Sequence, residues 1–258
     1  MQIAVHFLIA LTASIVGAIS GIGGGIIIKP VLDTFGFSGI ASINFLSGCT
    51  VLSMTAVSLI RSRKSGESIN RKVGGLLAAG GIIGGLIGKI LFNYIILNIP
   101  EPENVRIIQS IVLAILSVGV LIFTLFKRRI KPLHLVNSIF CIITGFFLGI
   151  TGAFLGIGGG PINLMVLYLF FAMDSKTAAL NSLFIIFFSQ LSSLFITAAG
   201  GNIPDFNISV LVVMIVGGIS GALIGSVISR KASHENVDRL FMIVLIIIII
   251  ICGRNIFA

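Results

Sequence analysis

The pentapeptide GIGGG occurs twice in this chain, at 21–25 and at 156–160, and each copy interrupts a long apolar run. Four glycines in five residues make poor helix interior, since each costs about 1 kcal/mol there relative to alanine. In water the motif reads as a turn. Inside a membrane it reads as a broken helix, whose bare backbone is tolerated only where it lines a cavity or is buried in protein. Composition decides between these two solvents. The 258 residues are 57% hydrophobic and only 10% charged, against about a quarter charged in soluble domains. The chain therefore reads as an all-α polytopic membrane protein.

A membrane-crossing helix needs about 20 apolar residues. Apolar runs cover 3–32, 40–60, 73–99 and 105–126, then 133–173, 177–199, 208–229 and 240–251. The first and fifth are longer than one span, and these two carry GIGGG. No basic leader with a small-residue cleavage site opens the chain, so the first run is expected to stay in the membrane. The polar breaks between runs are short loops, and no stretch is long enough for a soluble domain.

The second half repeats the first. GIGGG recurs at an offset of 135 residues, GGIIGGLIG at 80–88 matches GGISGALIG at 217–225 at 137, and ENV at 103–105 matches 235–237 at 132. Asn44 matches Asn181, again at 137. Four matches in one order indicate a duplicated four-segment unit. We divide the chain into a first transmembrane repeat (1–126), a basic cytoplasmic linker (127–132) and a second repeat (133–258).

Loop charge gives the relative orientation of the halves. The loop after the second segment holds Arg61, Arg63, Lys64, Arg71 and Lys72, whereas its counterpart at 200–207 holds no basic residue. The loop after the third holds Glu101 and Glu103, whereas its counterpart holds Arg230, Lys231 and Arg239. Under the positive-inside rule, corresponding loops then lie on opposite sides. Inversion requires an odd number of crossings per half. We therefore expect two inverted repeats, the first segment of each broken or re-entrant at GIGGG, with both termini outside.

Inverted repeats with broken helices hold substrate near the midplane, where half-helix N-termini point at anionic groups. Such an end carries roughly half a positive charge and free N–H donors, and glycine lets an anion approach that backbone. Close helix packing is the plainer role for any one glycine, but paired breaks at matching positions favour a site. The candidate anion-binding set is Gly23, Gly24 and Gly25, with Gly158, Gly159 and Gly160, plus the polar side chains of the neighbouring segments: Asn44 and Ser47, Asn163, Asn181 and Gln190. The spaced glycines at 80–88 and 217–225 read as packing seams. Lys29, four residues past Gly25, has two readings. It either attracts the anion, and so joins the set, or snorkels to the outer interface, with Asp33 as its partner.

Several functions are disfavoured. GIGGG is not a dinucleotide fingerprint, because Ile26 and Pro161 stand where GxGxxG needs glycine. All eight acids (Asp33, Glu67, Glu101, Glu103, Asp174, Asp205, Glu235, Asp238) fall in or beside loops, which argues against a carboxylate proton relay or a cation pump. Three cysteines and three histidines show no metal spacing, so no metal, cofactor or enzymatic chemistry is expected. The net charge of +9 sits in loops as membrane-retention charge, not as a nucleic-acid face.

GIGGGIIIKPVL in the first half and GIGGGPINLMVLYL in the second, each followed by a polar-punctuated segment (SINFLSGCT; AALNSLFIIFFSQ), resemble the sulfite exporter TauE/SafE family of bacterial and archaeal membrane permeases. The resemblance covers essentially the whole chain. Its motif glycines carry over as Gly21, Gly23, Gly24 and Gly25, and as Gly156, Gly158, Gly159 and Gly160, with the family proline at Pro30. It implies a multi-pass protein of a prokaryotic cell membrane. It also implies secondary, proton-coupled export of small sulfur-containing anions such as sulfite, sulfoacetate or other organosulfonates. A passive small-anion channel and a permease for another small organic anion share these features. The partners expected are the lipid bilayer and a small anion, with a homodimer through a glycine seam as a further option.

Overall fold

The computed structural model describes residues 2–62, 71–99, 101–135, 137–201 and 203–257. The middle of the basic loop, on which much of the charge asymmetry rests, lies outside the described residues. Among the described residues regular structure is helical throughout: α1 (Gln2–Ser20), α2 (Gly25–Phe35), α3 (Ile40–Ser62), α4 (Arg71–Asn98), α5 (Pro102–Phe126), α6 (Ser138–Leu155), α7 (Pro161–Phe171), α8 (Ser175–Ala199), α9 (Ile208–Lys231) and α10 (His234–Phe257). Eight of these are long and apolar enough to cross a membrane; α2 and α7, at 11 residues, are not. Large side chains such as Ile115, Phe147, Phe195, Val212 and Ile250 remain exposed. On a water-facing surface so much apolar area would be a liability, whereas lipid solvates it.

Both GIGGG motifs fall between helices, and at both the chain doubles back. After α1 the chain turns through residues 21–24, and a Cβ built on Gly17 would sit 2.6 Å from the Gly24 nitrogen. The α2 helix then returns beside α1, so that Phe37, just past its end, meets His6 near the start of α1 in a tilted ring contact at 5.3 Å between centroids. The second half repeats this geometry. A Cβ on Gly152 would sit 2.8 Å from the Gly159 nitrogen. After α7 the chain is back where it entered, since the Leu133 and Leu135 N–H groups donate to the Leu169 and Phe170 carbonyls at 2.7 and 2.9 Å. Glycine is required at Gly23 and Gly158, whose φ angles of 77° and 79° are left-handed values that cost other residues about 1–2 kcal/mol.

Two glycine seams hold the halves together. Gly80, Gly84 and Gly88 of α4 step along the backbone of Ile142, Phe146 and Ile150 of α6. At positions 137 residues later, Gly217, Gly221 and Gly225 of α9 step along Phe7, Leu11 and Ile15 of α1. Both pairs run parallel, and each joins one half to the other. Lipid tails leave no hydrophobic drive between helices, so close backbone approach at small residues supplies the attraction.

The ends of the bundle are tied differently. At one end, which also holds the linker, Lys127 pairs with Asp238 at 3.0 Å and Arg230 donates to the Arg61 carbonyl at 2.7 Å. At the other end, which holds both termini, Ser42 donates to the Asp205 carbonyl at 2.7 Å and Asn255 to that of Pro30 at 3.0 Å. We refer to these as the linker end and the terminal end.

Candidate functional site

The isoleucine inside each motif explains how the breaks are held. Ile22 and Ile157 are 0% and 2% exposed and share one apolar cluster with Ile26, Leu113, Leu245 and Ile248, drawn from α2, α5 and α10. The motif thus plugs its one large side chain into the core behind it. The glycines are left to face α3 and α8.

On that front side the two breaks touch. A Cβ on Gly25 would fall on the Ile157 carbonyl, and those on Gly23 and Gly159 would both meet Ile186 of α8. Their linings differ. Break two is polar: the Asn44 amide lies against Gly156, a Cβ on Gly158 would sit 2.6 Å from the Gln190 amide nitrogen, and one on Gly159 would sit 3.0 Å from the Asn163 amide nitrogen. Val51 and Ile186 cover both breaks, and break one adds Met54 and the Ser14 hydroxyl; the Gly24 N–H donates to the Met54 sulfur at 3.2 Å.

The polar atoms here are short of partners. Among the described residues, both amide atoms of Asn44, the amide oxygens of Asn163 and Asn181, and the hydroxyls of Ser47 and Ser14 are buried and make no hydrogen bond. Each such atom costs about 1–3 kcal/mol, and native interiors satisfy nearly all of them. Asn44, Asn163 and Ser14 lie against the breaks, where polar atoms of this kind are normally met by water or a ligand. The backbone N–H groups of Gly25 and Ile26, at the start of α2, and of Gly159, Gly160 and Ile162, at the start of α7, also lack partners among the described residues.

Of the expected set, then, the structure gathers Gly23, Gly24, Gly25, Gly158, Gly159, Gly160, Asn44, Asn163 and Gln190 around the touching breaks. Ser47 lies one turn from Asn44 on α3 and is wholly buried. The Asn163 amide donates weakly to Ser182 at 3.4 Å, and Asn181 donates to the Thr177 carbonyl at 2.8 Å. Thr50 is spent on its own helix, on the Leu46 carbonyl at 2.8 Å.

Lys29 stands apart from this group. It faces α5, where its ammonium donates to Gln109 at 2.6 Å and pairs with Asp33 at 3.4 Å. Gln109 in turn donates to the Phe154 carbonyl at 2.6 Å, and Arg106 to that of Asp33 at 2.9 Å. Lys29 and Asp33 are each 3% exposed. The sequence reading placed every acid in or beside a loop; Asp33 is beside one but is buried. It stands two residues before the end of α2, and α5 and α10 cover that end. Sequence reasoning also missed Met54 and Ser14. Neither carries a local signal, since a thioether or a lone hydroxyl in an apolar helix looks like ordinary packing.

The comparisons with known proteins agree with this architecture. No curated protein and no solved structure matches the chain, but the family model described as Sulfite exporter TauE/SafE matches residues 6–251. A match across nearly the whole chain, both hairpins included, places it: the chain belongs to the TauE/SafE family of membrane transporters.

Proposed function

We propose that this protein is a secondary active transporter that exports small sulfur-containing anions (sulfite, sulfoacetate or other organosulfonates) across a prokaryotic cell membrane. The substrate sits where the two glycine breaks meet. The observation that carries the reading is the Asn44 amide, buried with neither atom partnered, together with the free N–H groups starting α7, at a contact between two half-helix N-termini. Uncharged donors at a dipole end bind an anion without a buried counter-ion. They suit a monoanion best, because desolvating a second charge adds a penalty that neutral donors repay poorly. Hydrogensulfite and simple sulfonates fit that description, sulfoacetate does so with its carboxyl protonated, and hydrogensulfite carries a proton with it. Because that proton moves in the same direction as the anion, pH-driven flux needs no carboxylate carrier beside the site. Outward movement of the monoanion from a cell is driven by the inside-negative membrane potential.

The halves 1–126 and 133–258 are read as inverted repeats joined by the 127–132 linker. The α1–α2 hairpin enters and leaves at the terminal end, whereas the α6–α7 hairpin does so at the linker end. Rocking one hairpin against the other would expose the shared site to each side in turn. The test is flux in proteoliposomes, with sulfite and sulfoacetate compared against acetate and chloride, with and without a pH gradient. Saturable, pH-driven flux selective for the sulfur anions is expected. Flux of every small anion down its own gradient would make the protein a channel.

A further inference from the structure

A second polar feature lies apart from the breaks. At the linker end, α1, α3, α8 and α9 enclose a cleft lined by Lys176, Arg230, Ser58, Ser62, Ser226 and Ser229. It carries two cations and four hydroxyls and no acid among the residues that line it. The direction of each helix orders these groups by depth. Lys176, Arg230 and Ser62 lie at the rim, while Ser58 and Ser226 lie one turn further in. Ser58 is 5% exposed, and its hydroxyl has no hydrogen-bond partner among the described residues. The Lys176 ammonium likewise has no ion pair among them, while Arg230 spends one N–H on the Arg61 carbonyl. Below this level the lining becomes apolar. Ala18, Met54, Leu183 and Ala222 form a buried layer, and its Met54 holds the Gly24 N–H. The cleft thus ends one side chain short of the first glycine break.

We propose that this cleft is an anion-binding vestibule for small sulfonates and sulfite-like oxyanions. Lys176 and Arg230 attract the ligand, Ser58 is its inner donor, and Met54 with Leu183 separates it from the central site. The ligand class rests on the transport reading above; the site itself rests on the cleft. Paired cations at the mouth of a low-dielectric pocket concentrate anions. The thioether holding Gly24 occupies the place an incoming oxyanion would take on that N–H.

The test is the reactivity of Ser58→Cys, with Ser226→Cys as a second probe should the first fail to fold, in purified protein in detergent, where both ends are accessible. The probes are sulfonatoethyl methanethiosulfonate, itself an organosulfonate, and its trimethylammonium analogue. After correction for each reagent's rate with a free thiol, the anionic reagent should react about tenfold faster. Sulfoacetate should slow it, and adding Lys176→Gln and Arg230→Gln should abolish the preference. Equal corrected rates, a preference that survives the double substitution, or no reaction at either cysteine overturns the vestibule. Proteoliposome flux stays a separate reading: absent sulfite flux with the anion preference intact refutes transport of sulfite and leaves the vestibule standing.

Discussion

Gly24 and Gly25 are neighbours, yet alanine should have opposite consequences at the two positions. Gly24 has a helical φ of −70°, and a Cβ there would lie 3.2 Å from the Met54 sulfur and 3.3 Å from the Ser14 hydroxyl. Both are ends of movable side chains and can give by a few tenths of an ångström. A Cβ on Gly25 would fall on the carbonyl of Ile157, which belongs to the opposite break and is backbone that cannot rotate away. Overpacking of that kind costs about 1–3 kcal/mol. The only local relief is to push the breaks apart, and a conformational penalty of that size corresponds to about a 5- to 150-fold effect. Helix propensity opposes the loss, since alanine inside a helix gains up to about 1 kcal/mol over glycine, so any defect at Gly25 must come from the contact. We expect Gly24→Ala to keep sulfite flux within about twofold of wild type, the size of a few tenths of a kcal/mol, and Gly25→Ala to lose at least about fivefold. The assay is initial flux in proteoliposomes, normalised to monodisperse protein. Equal flux in the two variants would refute the claim that the breaks meet at Gly25 and Ile157.

Other substitutions separate binding from folding. Asn44→Leu removes a buried amide with neither atom partnered, and Asn163→Leu a buried amide oxygen without a partner. Thermal stability in detergent should therefore hold or rise while flux is lost, given the release of about 1–3 kcal/mol per unsatisfied atom. A fall in stability with flux intact would make them structural. Lys29→Met leaves Asp33 buried without its cation and should destabilise by about 3–5 kcal/mol; adding Asp33→Asn should recover most of the loss in a melting experiment. Lost flux at unchanged stability would instead assign Lys29 to the substrate. Asp174, in the loop before α8, accepts from the Lys176 and Thr177 N–H groups and the Thr177 hydroxyl. Burial raises its carboxyl pKa, but those bonds and nearby His234 outweigh burial and hold it below the ordinary carboxylate value. A depressed folded-state value contributes stability above the unfolded pKa that is lost as pH falls through the folded one. Asp174→Ala should therefore cost about 1 kcal/mol at neutral pH, and the gap to wild type should close in acid. A gap constant with pH would show that the charge does not contribute.

Helix positions were legible from the sequence to within a few residues. The run at 40–60 became Ile40–Ser62 and that at 177–199 became Ser175–Ala199, because an apolar span in a bilayer has no other way to satisfy its backbone. The last helix was drawn too short, at 240–251 instead of His234–Phe257. Its charged first and last turns broke the apolar pattern without breaking the helix. The breaks were legible because glycine reports backbone directly. Of the partners of Lys29, Asp33 was legible from its spacing four residues on, but Gln109 was not, because it stands 80 residues away on a helix whose facing side no periodicity fixes. The burial of Asp33 was not legible for a related reason: it stands three residues before Gly36, and the docking of α5 and α10 over that end buries it.

The duplication preserves backbone contacts and lets side chains diverge. Gly17 and Gly152 are equivalent, as are Gly24 and Gly159, and each pair lets one strand of its hairpin press against the other's backbone. A Cβ on Gly17 or Gly152 would lie 2.6 or 2.8 Å from that backbone, so both copies keep glycine at these two positions. The side chains facing those contacts differ. Lys29 and Asp33 in the first half stand opposite Leu164 and Tyr168 in the second, and Met54 opposite Leu191. On the proposed mechanism, two hairpins that exchange roles need the same backbone shape, whereas one anion needs only one set of donors. Asn44, Gln190 and Asn163 all gather on break two, while a thioether occupies the free N–H of break one. On the proposed mechanism the substrate is held by the second break, and the first acts as the door.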